Sequence, residues 1–415
     1  NKNHVINGDF GIWQRGIGVT GVSGHTGHNH TYFADRWIRI SQTGTGGVSG
    51  PDNPISGASC GTHRSLTYKL ERKAFDEEQI EVEGHPTYYS RIQGDITFAG
   101  GTNNNEWYKV EQRLEDVTSF AGEVMTTSFY VKGSTTGTCS LCWIQNRNGQ
   151  TGAVPGYPHG HVVGNPAGVT ANEIWTPITD FNVTTGWSKH AYSFVVPEIT
   201  NIDGASGSSV DVSGNHFASL AFFTQLTSLP DDTAKNVYYG GELDIAKVKL
   251  ERGSVATLNI PVNKTEELRK VQRYYQTSYN SEGYPGVSTM RTTTRPNTTG
   301  VHFVVPGSFI HVQKLPVNMR VTPTAKLYSP TGVENEGFNV DAGKDMRFTS
   351  GTKGKINNEI RKTLNNAQNI SVFSDSDQGL EITVIRGAAK LDTIVVHYVA
   401  NSELNDALPT DPVNT

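Results

Sequence analysis

Three histidines fall within six positions in the stretch "HTGHNH", residues 25–30. Imidazole is the commonest metal-ligating side chain, so metal binding is the first chemistry to consider. A catalytic zinc site usually takes two histidines four apart on a helix, with a third ligand and a general base further along. Glycines flank this stretch and no helical period runs through it, which excludes that arrangement. His28 and His30 form an H-x-H pair, and extended backbone would turn both rings to one side. Around a threefold axis, such pairs would offer a ring of nitrogens to an axial transition metal. His159 and His161 make a second pair of the same kind. The glycine-rich setting predicts a polar, metal-free loop instead, and no cofactor is required.

The cysteines are Cys60, Cys139 and Cys142, the last two forming a single C-x-x-C. A redox C-x-x-C belongs at a strand-to-helix junction, and a zinc site needs a second pair. Here "TGTCSLCWIQNRNG" reads as a strand leading into an Asn-Gly type turn, so these are ordinary thiols. Asp375 and Asp377 in "SDSDQG" are too closely spaced for an EF-hand and mark a hairpin turn. The chain has no G-x-S-x-G elbow, no H-E-x-x-H and no phosphate-cradling G-x-x-x-x-G-K. It also lacks the solenoid repeat of a glycan-cleaving tailspike. The expectation is a non-enzyme with no catalytic residue.

Sugar binding needs aromatic faces for pyranose C–H groups, with amides and carboxylates around the rim. Trp143, Tyr157 and Trp175 lie in or beside the loop "GQTGAVPGYPHGHVVGNPAG" and are the first candidates. Tyr328 and Phe338 flank "SPTGVENEG", a second exposed loop. Trp143 also sits among strand residues, where it would be core. Trp13, Trp37, Trp107 and Trp187 read as core or sheet-packing residues.

Positioning such groups is the task of the rest of the chain. Its 415 residues suggest two or three domains. An apolar fraction of 35% and a charged fraction of 18%, with 44 glycines, suit many short strands joined by tight turns. A net charge of −5 argues against a general nucleic-acid or anionic-membrane binder. No apolar stretch is long enough to span a bilayer, so membrane insertion is not expected.

Strand-like runs recur at 64–71, 106–115, 124–133, 139–146, 187–196, 216–226 and 241–251. They predict a jelly-roll β-sandwich over 1–256. The pattern breaks at "VNKTEELRKVQRYYQTSY", residues 262–279, where Asn263 as N-cap and Glu266 three positions on predict a helix. Residues 257–279 are thus a helical connector. Leu268, Val271, Tyr274 and Tyr275 form its apolar stripe, which either packs on its own sandwich or lines a threefold oligomer interface. Strand runs resume from 280 to 404 as a second, smaller β-sandwich, and 405–415 is a loose tail.

Several segments carry a family resemblance: "INGDFGIWQRG" and "YFADRW" near the start, "DIAKVKLERGSVAT" and "EELRKVQRYYQTSY" in the middle, and "LPVNMRVTPTAKLYSP" and "VVHYVANSEL" near the end. Together they resemble tailed-bacteriophage tail fibre and receptor-binding proteins, in which a carbohydrate-binding-module-like jelly roll precedes a short helix and a distal β domain. The resemblance implies a homotrimer on the virion that contacts other virion proteins and a host surface glycan. Head-fibre or capsid-decoration proteins carry similar modules, and a tail-bound polysaccharide depolymerase is a further alternative. Related modules often hold a structural calcium where the first and last strands meet, for which Asp9 and Asp244 are the available carboxylates.

Overall fold

The computed structural model describes residues 2–23, 28–42, 64–98, 107–146, 173–199, 216–225, 241–260, 263–279, 284–285, 287–292, 295–296, 300–305, 309–334, 336–339, 344–347, 369–373, 376–385 and 392–403. The chain divides into two compact units, 1–13 with 17–262 and 404–415, and 14–16 with 263–403. The helix therefore belongs to the second unit, whose main segment begins at Asn263, and is not a separate connector.

The described part of the first unit is all strand and turn. In chain order the strands are β1 (Gly18–Ser23), β2 (His28–Tyr32), β3 (Trp37–Gln42), β4 (Arg64–Ala74), β5 (Tyr88–Phe98) and β6 (Trp107–Glu115). They continue with β7 (Val124–Gly133), β8 (Gly137–Asn146), β9 (Glu173–Val183), β10 (Ser188–Val195), β11 (Phe217–Gln225) and β12 (Gly241–Arg252). One sheet, here sheet A, has the order β1-β4-β5-β12-β7-β10, and sheet B has the order β2-β3-β6-β11-β8-β9. The pairs β5·β12, β6·β11, β7·β10 and β8·β9 are antiparallel and fall alternately in sheets A and B. A long antiparallel ribbon with its tip between β8 and β9 has thus been rolled around a core, which is the jelly-roll topology.

Period-2 alternation explains what fills the roll. On β6 Val110 and Leu114 point into the core, as do Ala218, Leu220 and Phe222 on β11 and Leu243 and Ile245 on β12. Phe129, Phe181 and Phe222 meet edge-on there, with centroids 4.8–6.4 Å apart. "YYSRIQGDITF" (β5) and "EIWTPITDFNV" (β9) are strands the sequence pattern left unassigned. His28–Tyr32 is likewise a strand, β2, where a loop was expected, because it pairs in register with β3.

The chain start is bound to the last strand. His4 N donates to Leu250 O at 2.8 Å, Val248 N donates to Gly8 O at 2.8 Å, and Asn3 Oδ1 accepts from Leu250 N at 3.0 Å. Asn7, fully buried with φ 56°, closes the adjoining turn through Ile12 and the Asp35 carbonyl. The expected neighbourhood of "VINGDF" and "LDIAKVKLE" is therefore a hydrogen-bonded one.

The second unit contains α1 (Lys264–Gln272), β13 (Tyr275–Thr277), β14 (Met290–Thr292), β15 (Arg295–Pro296), β16 (Val301–Val305) and β17 (Phe309–Lys314). It ends with β18 (Thr324–Tyr328), β19 (Glu336–Asn339), β20 (Lys344–Arg347), β21 (Asn369–Phe373), β22 (Gly379–Ile385) and β23 (Asp392–Asn401). β23 is central and pairs with β13, β16, β18 and β19. Its alternate residues Ile394, Val396, Tyr398 and Ala400 share a core with Leu380 and Ile382 of the β17-β22-β21 sheet, so this unit is also a sandwich. Asn263 caps α1 by accepting from Thr265 N at 2.9 Å. The helix stops at Gln272, short of the expected 279, because the aromatic, β-favouring "YQT" adds to β23. Among the described residues no helix is long and apolar enough to cross a membrane.

Candidate functional site

Each sheet of the jelly roll has a second face, turned away from the core, and the two differ in chemistry. On sheet B the spacing K-x-E-x-R of β6 puts Lys109, Glu111 and Arg113 on that face. All three are 2% exposed or less. Glu111 takes Lys109 Nζ at 3.0 Å on one oxygen and Arg113 Nε at 2.8 Å on the other, with Ser219 Oγ donating at 3.1 Å. Burial by itself would raise the Glu111 carboxyl, but the two flanking cations outweigh it and hold the pKa down to about 2. A carboxylate so firmly ionised, with both oxygens engaged, has no proton to give as a general acid. Ile38, Ile40, Cys142, Ile144, Ala221 and Phe223 fill the rest of this face and are equally withdrawn from solvent. Sequence reading missed this row, although its signal was present in the alternating charges of "YKVEQRLE".

Sheet A is different. Register places Lys73 opposite Tyr89, Ala246 opposite Tyr130, and Tyr130 opposite Lys189. The small Ala246 leaves room over the sheet, and Phe75, Tyr89 and Trp187 gather there with centroids 4.7, 5.2 and 5.3 Å apart. Val82, on the long β4–β5 connection, packs beside Tyr130 and Ala246 as the buried centre of this cluster. Phe75, Tyr89 and Trp187 are only part-buried, so the cluster keeps aromatic surface at the protein–water boundary.

Charged groups ring it. Arg91 forks onto Asp244 at 2.8 and 2.9 Å and reaches Glu242 at 2.7 Å. Asp244 drives the Arg91 pKa up, whereas burial raises that of Asp244 in spite of the fork. The bidentate geometry identifies an ionised pair, and the two directions describe its balance of attraction and desolvation. Lys132 lies 6.0 Å from the Trp187 ring centroid and Lys189 5.8 Å from that of Tyr130. Beside Tyr130 opens a pocket of about 210 Å³, lined among others by Glu83, Lys189, Lys247, Thr257 and Asn259.

The residues singled out from sequence are distributed differently. Trp143 is fully buried, wedged between Phe120 and Phe194, and belongs to the core in place of a sugar platform. The reason is strand parity: Leu141 and Trp143 share the inward face of β8. Tyr157, His159 and His161 lie outside the described residues, as do Cys60 and Asp375. Trp175 lies on β9 opposite Ile144, Phe338 on β19 opposite Asp345, and His28 and His30 on β2; their side chains are not among those described. Tyr328 is half-buried and donates to Glu334 Oε2 at 3.1 Å, beside the Lys326–Glu334 pair. Val271, Tyr274 and Tyr275, expected at an oligomer axis, are buried within their own chain, while Leu268 is half-buried.

Cys139 and Cys142 are both buried thiols outside any disulfide, and their odd spacing puts them on opposite faces of β8. Burial drives the Cys142 thiol far up, so it is inert. Asp244 is committed to Arg91, and Asp9 accepts from Gly11 N at 3.3 Å. Among the described residues no three His, Cys, Asp or Glu side chains cluster.

No family model matches the chain, and no curated protein matches it. Among solved structures, a putative sugar binding protein from Bacteroides thetaiotaomicron aligns at 13% identity and TM-score 0.27, over 61% of this chain and 100% of that one. A family 11 carbohydrate-binding module from Clostridium thermocellum, in complex with a mixed-linked tetrasaccharide, aligns at 12% identity and TM-score 0.25, over 57% and 100%. The enzymatically active domain of a bacteriophage tailspike protein aligns at 12% identity and TM-score 0.21, over 45% of this chain and 19% of that one. At such scores these likenesses add nothing to the strand order, which by itself defines the first unit as a jelly-roll β-sandwich.

Proposed function

We propose that this is a non-enzymatic display protein that binds glycan through the aromatic face of sheet A, as a trimeric attachment component of a tailed-phage virion. The virion assignment follows the sequence resemblance. The glycan assignment rests on one observation, the part-exposed cluster of Phe75, Tyr89 and Trp187 ringed by Arg91, Lys132 and the Asp244 and Glu242 carboxylates. Pyranose rings stack on such surfaces while forks and ammonium groups take their hydroxyls. Single contacts of this kind are weak, and several copies facing one cell would multiply them.

The test is a glycan-array screen of the full chain followed by calorimetry on the best oligosaccharide. Trp187→Ala should weaken binding about tenfold, the loss of roughly 1.4 kcal/mol, while the strand signal in circular dichroism stays unchanged. Binding indifferent to Trp187→Ala and to Tyr89→Ala would remove the aromatic face from the account. Shortening of the polysaccharide during incubation would replace display with depolymerisation.

A further inference from the structure

The pocket beside the aromatic cluster is built around an ammonium group. Lys247 is 7% exposed, and its Nζ donates to two backbone carbonyls, Glu83 O at 2.6 Å and Asn259 O at 3.3 Å. Among the described residues no carboxylate lies within ion-pair distance of it, because the Glu83 carboxylate is turned to Lys189 Nζ at 2.7 Å. Buried charges are ordinarily paired, whereas the hydrogen bonds of this ammonium go to two neutral carbonyls and the Glu83 and Asp9 carboxylates act on it only from further away.

Three local features hold this ammonium in place. The register of β12 shifts between Ala246 and Lys249, a bulge that turns Lys247 outward. Lys247 itself takes φ 48°, an unfavourable value for a side chain other than glycine. Gly84, at φ 76°, makes way for it, since a Cβ there would stand 2.7 Å from Lys247 Nζ. Lys249, two residues on, is by contrast paired with Glu251 at 3.1 Å. Strained backbone and a bulge spent on a buried cation with no carboxylate at ion-pair distance among the described residues are features of a binding site rather than of a staple. Around it the Tyr130 phenol, Thr257 and Asn259 supply neutral hydrogen-bonding groups.

We infer that this pocket is a subsite for the carboxylate of an acidic sugar, a uronate or a sugar bearing an acidic substituent. The ammonium groups of Lys247 and Lys189 would take the anion, while the neighbouring aromatic face takes the rest of the saccharide. The inference rests on the glycan reading for the nature of its ligand. A volume of about 210 Å³ suits one charged substituent or ring, not a chain.

Sodium glucuronate, D-glucose and inorganic phosphate would each be titrated into the full chain, with methyl NMR signals of Leu258 and Ala256, both at the pocket, as reporters. Glucuronate should shift these signals saturably and glucose should not. Lys247→Met and Lys189→Met should each weaken the response at least tenfold, with unshifted Leu243 and Ile245 methyls certifying an intact core. Equal responses to glucuronate and glucose, or a Lys247→Met variant that binds as well as wild type, would overturn the subsite. Saturation by phosphate alone would overturn its assignment to a sugar acid. Trp187→Ala separates the two ideas. A glucuronate response that survives it supports the pocket even where the aromatic face has failed, and one lost with an intact core denies the pocket a role of its own.

Discussion

The carbonyl oxygen of Val248 lies 2.1 Å from where a β-carbon on Gly8 would stand. The two residues are joined by the Val248 N–H to Gly8 O bond at 2.8 Å, so the first segment meets the last strand with no space for a side chain. Gly8→Ala must therefore break that bond or push the strand aside. It should cost ~2–4 kcal/mol, at the high end for single substitutions. Urea denaturation followed by the fluorescence of buried Trp37, whose indole donates to Asn7 O at 3.0 Å, would measure it.

Glu111 carries the next prediction. Glu111→Gln keeps the shape but removes the buried carboxylate that Lys109 and Arg113 share, which should cost about 3–5 kcal/mol. The same pair sets a pH dependence. The carboxyl is depressed from 4.5 to about 2, so its contribution is complete above pH 4.5 and is lost as pH falls towards 2. Equilibrium denaturation of wild type and Glu111→Gln at pH 7 and pH 3 should show the gap between them narrowing in acid.

Trp143 and Trp187 give opposite expectations from the same residue type. Trp143→Ala empties a fully buried site and should lose roughly 3–5 kcal/mol of stability, whatever ligand is present. Trp187→Ala touches a part-exposed cluster and should mainly change binding. Melting temperature for the first and calorimetric affinity for the second distinguish them.

That contrast also marks what the sequence could convey. Apolar alternation in "HFASLAFFTQL" and "GELDIAKVKLE" specified β11 and β12, and the chain start was correctly matched with its last strand. Parity within a strand is local and legible: counting from Leu141 places Trp143 inside. Which tryptophan reaches the surface is not local, because Trp187 meets Phe75 only after β4, β5, β7 and β10 have been laid into one sheet. The bulge at Lys247 was invisible for the same reason, since nothing in "DIAKVKLE" distinguishes an extra residue from continued alternation. The end of α1 was misjudged because the pull of β23 on "YQT" is a tertiary effect that overrode an otherwise good helical pattern.

In the second unit His397 is fully buried, stacked on Tyr279 at 4.0 Å and held between Thr289 Oγ1 at 2.8 Å and Ser278 Oγ at 3.2 Å. Burial, aided by His302 nearby, lowers its pKa from 6.5 to about 4. Between those values the unfolded chain binds the extra proton and the folded chain does not. Stability is thus complete above pH 6.5 and falls as pH drops to 4, by about 3 kcal/mol in all. Thermal melts between pH 7 and pH 4 should show this slope, and His397→Gln should flatten it.

The proposed trimer and the fate of the helix stripe can be tested together. Val271 is fully buried, and Tyr275 lies under the Arg15 guanidinium, 3.6 Å from its ring centroid, while Arg15 also pairs with Glu403 at 3.1 Å. These contacts are made within one chain, so Val271→Ala should cost about 2 kcal/mol by emptying an intramolecular core. Its melting temperature should then fall by the same amount at every protein concentration. A stripe engaged across an axis would instead give a loss that deepens on dilution, because assembly is coupled to folding by mass action. Sedimentation should meanwhile find wild type and Val271→Ala in the same state, three times the 45.2 kDa chain mass. A monomer for wild type would deny the trimer. A trimer for wild type that becomes a monomer in Val271→Ala would return the stripe to the axis.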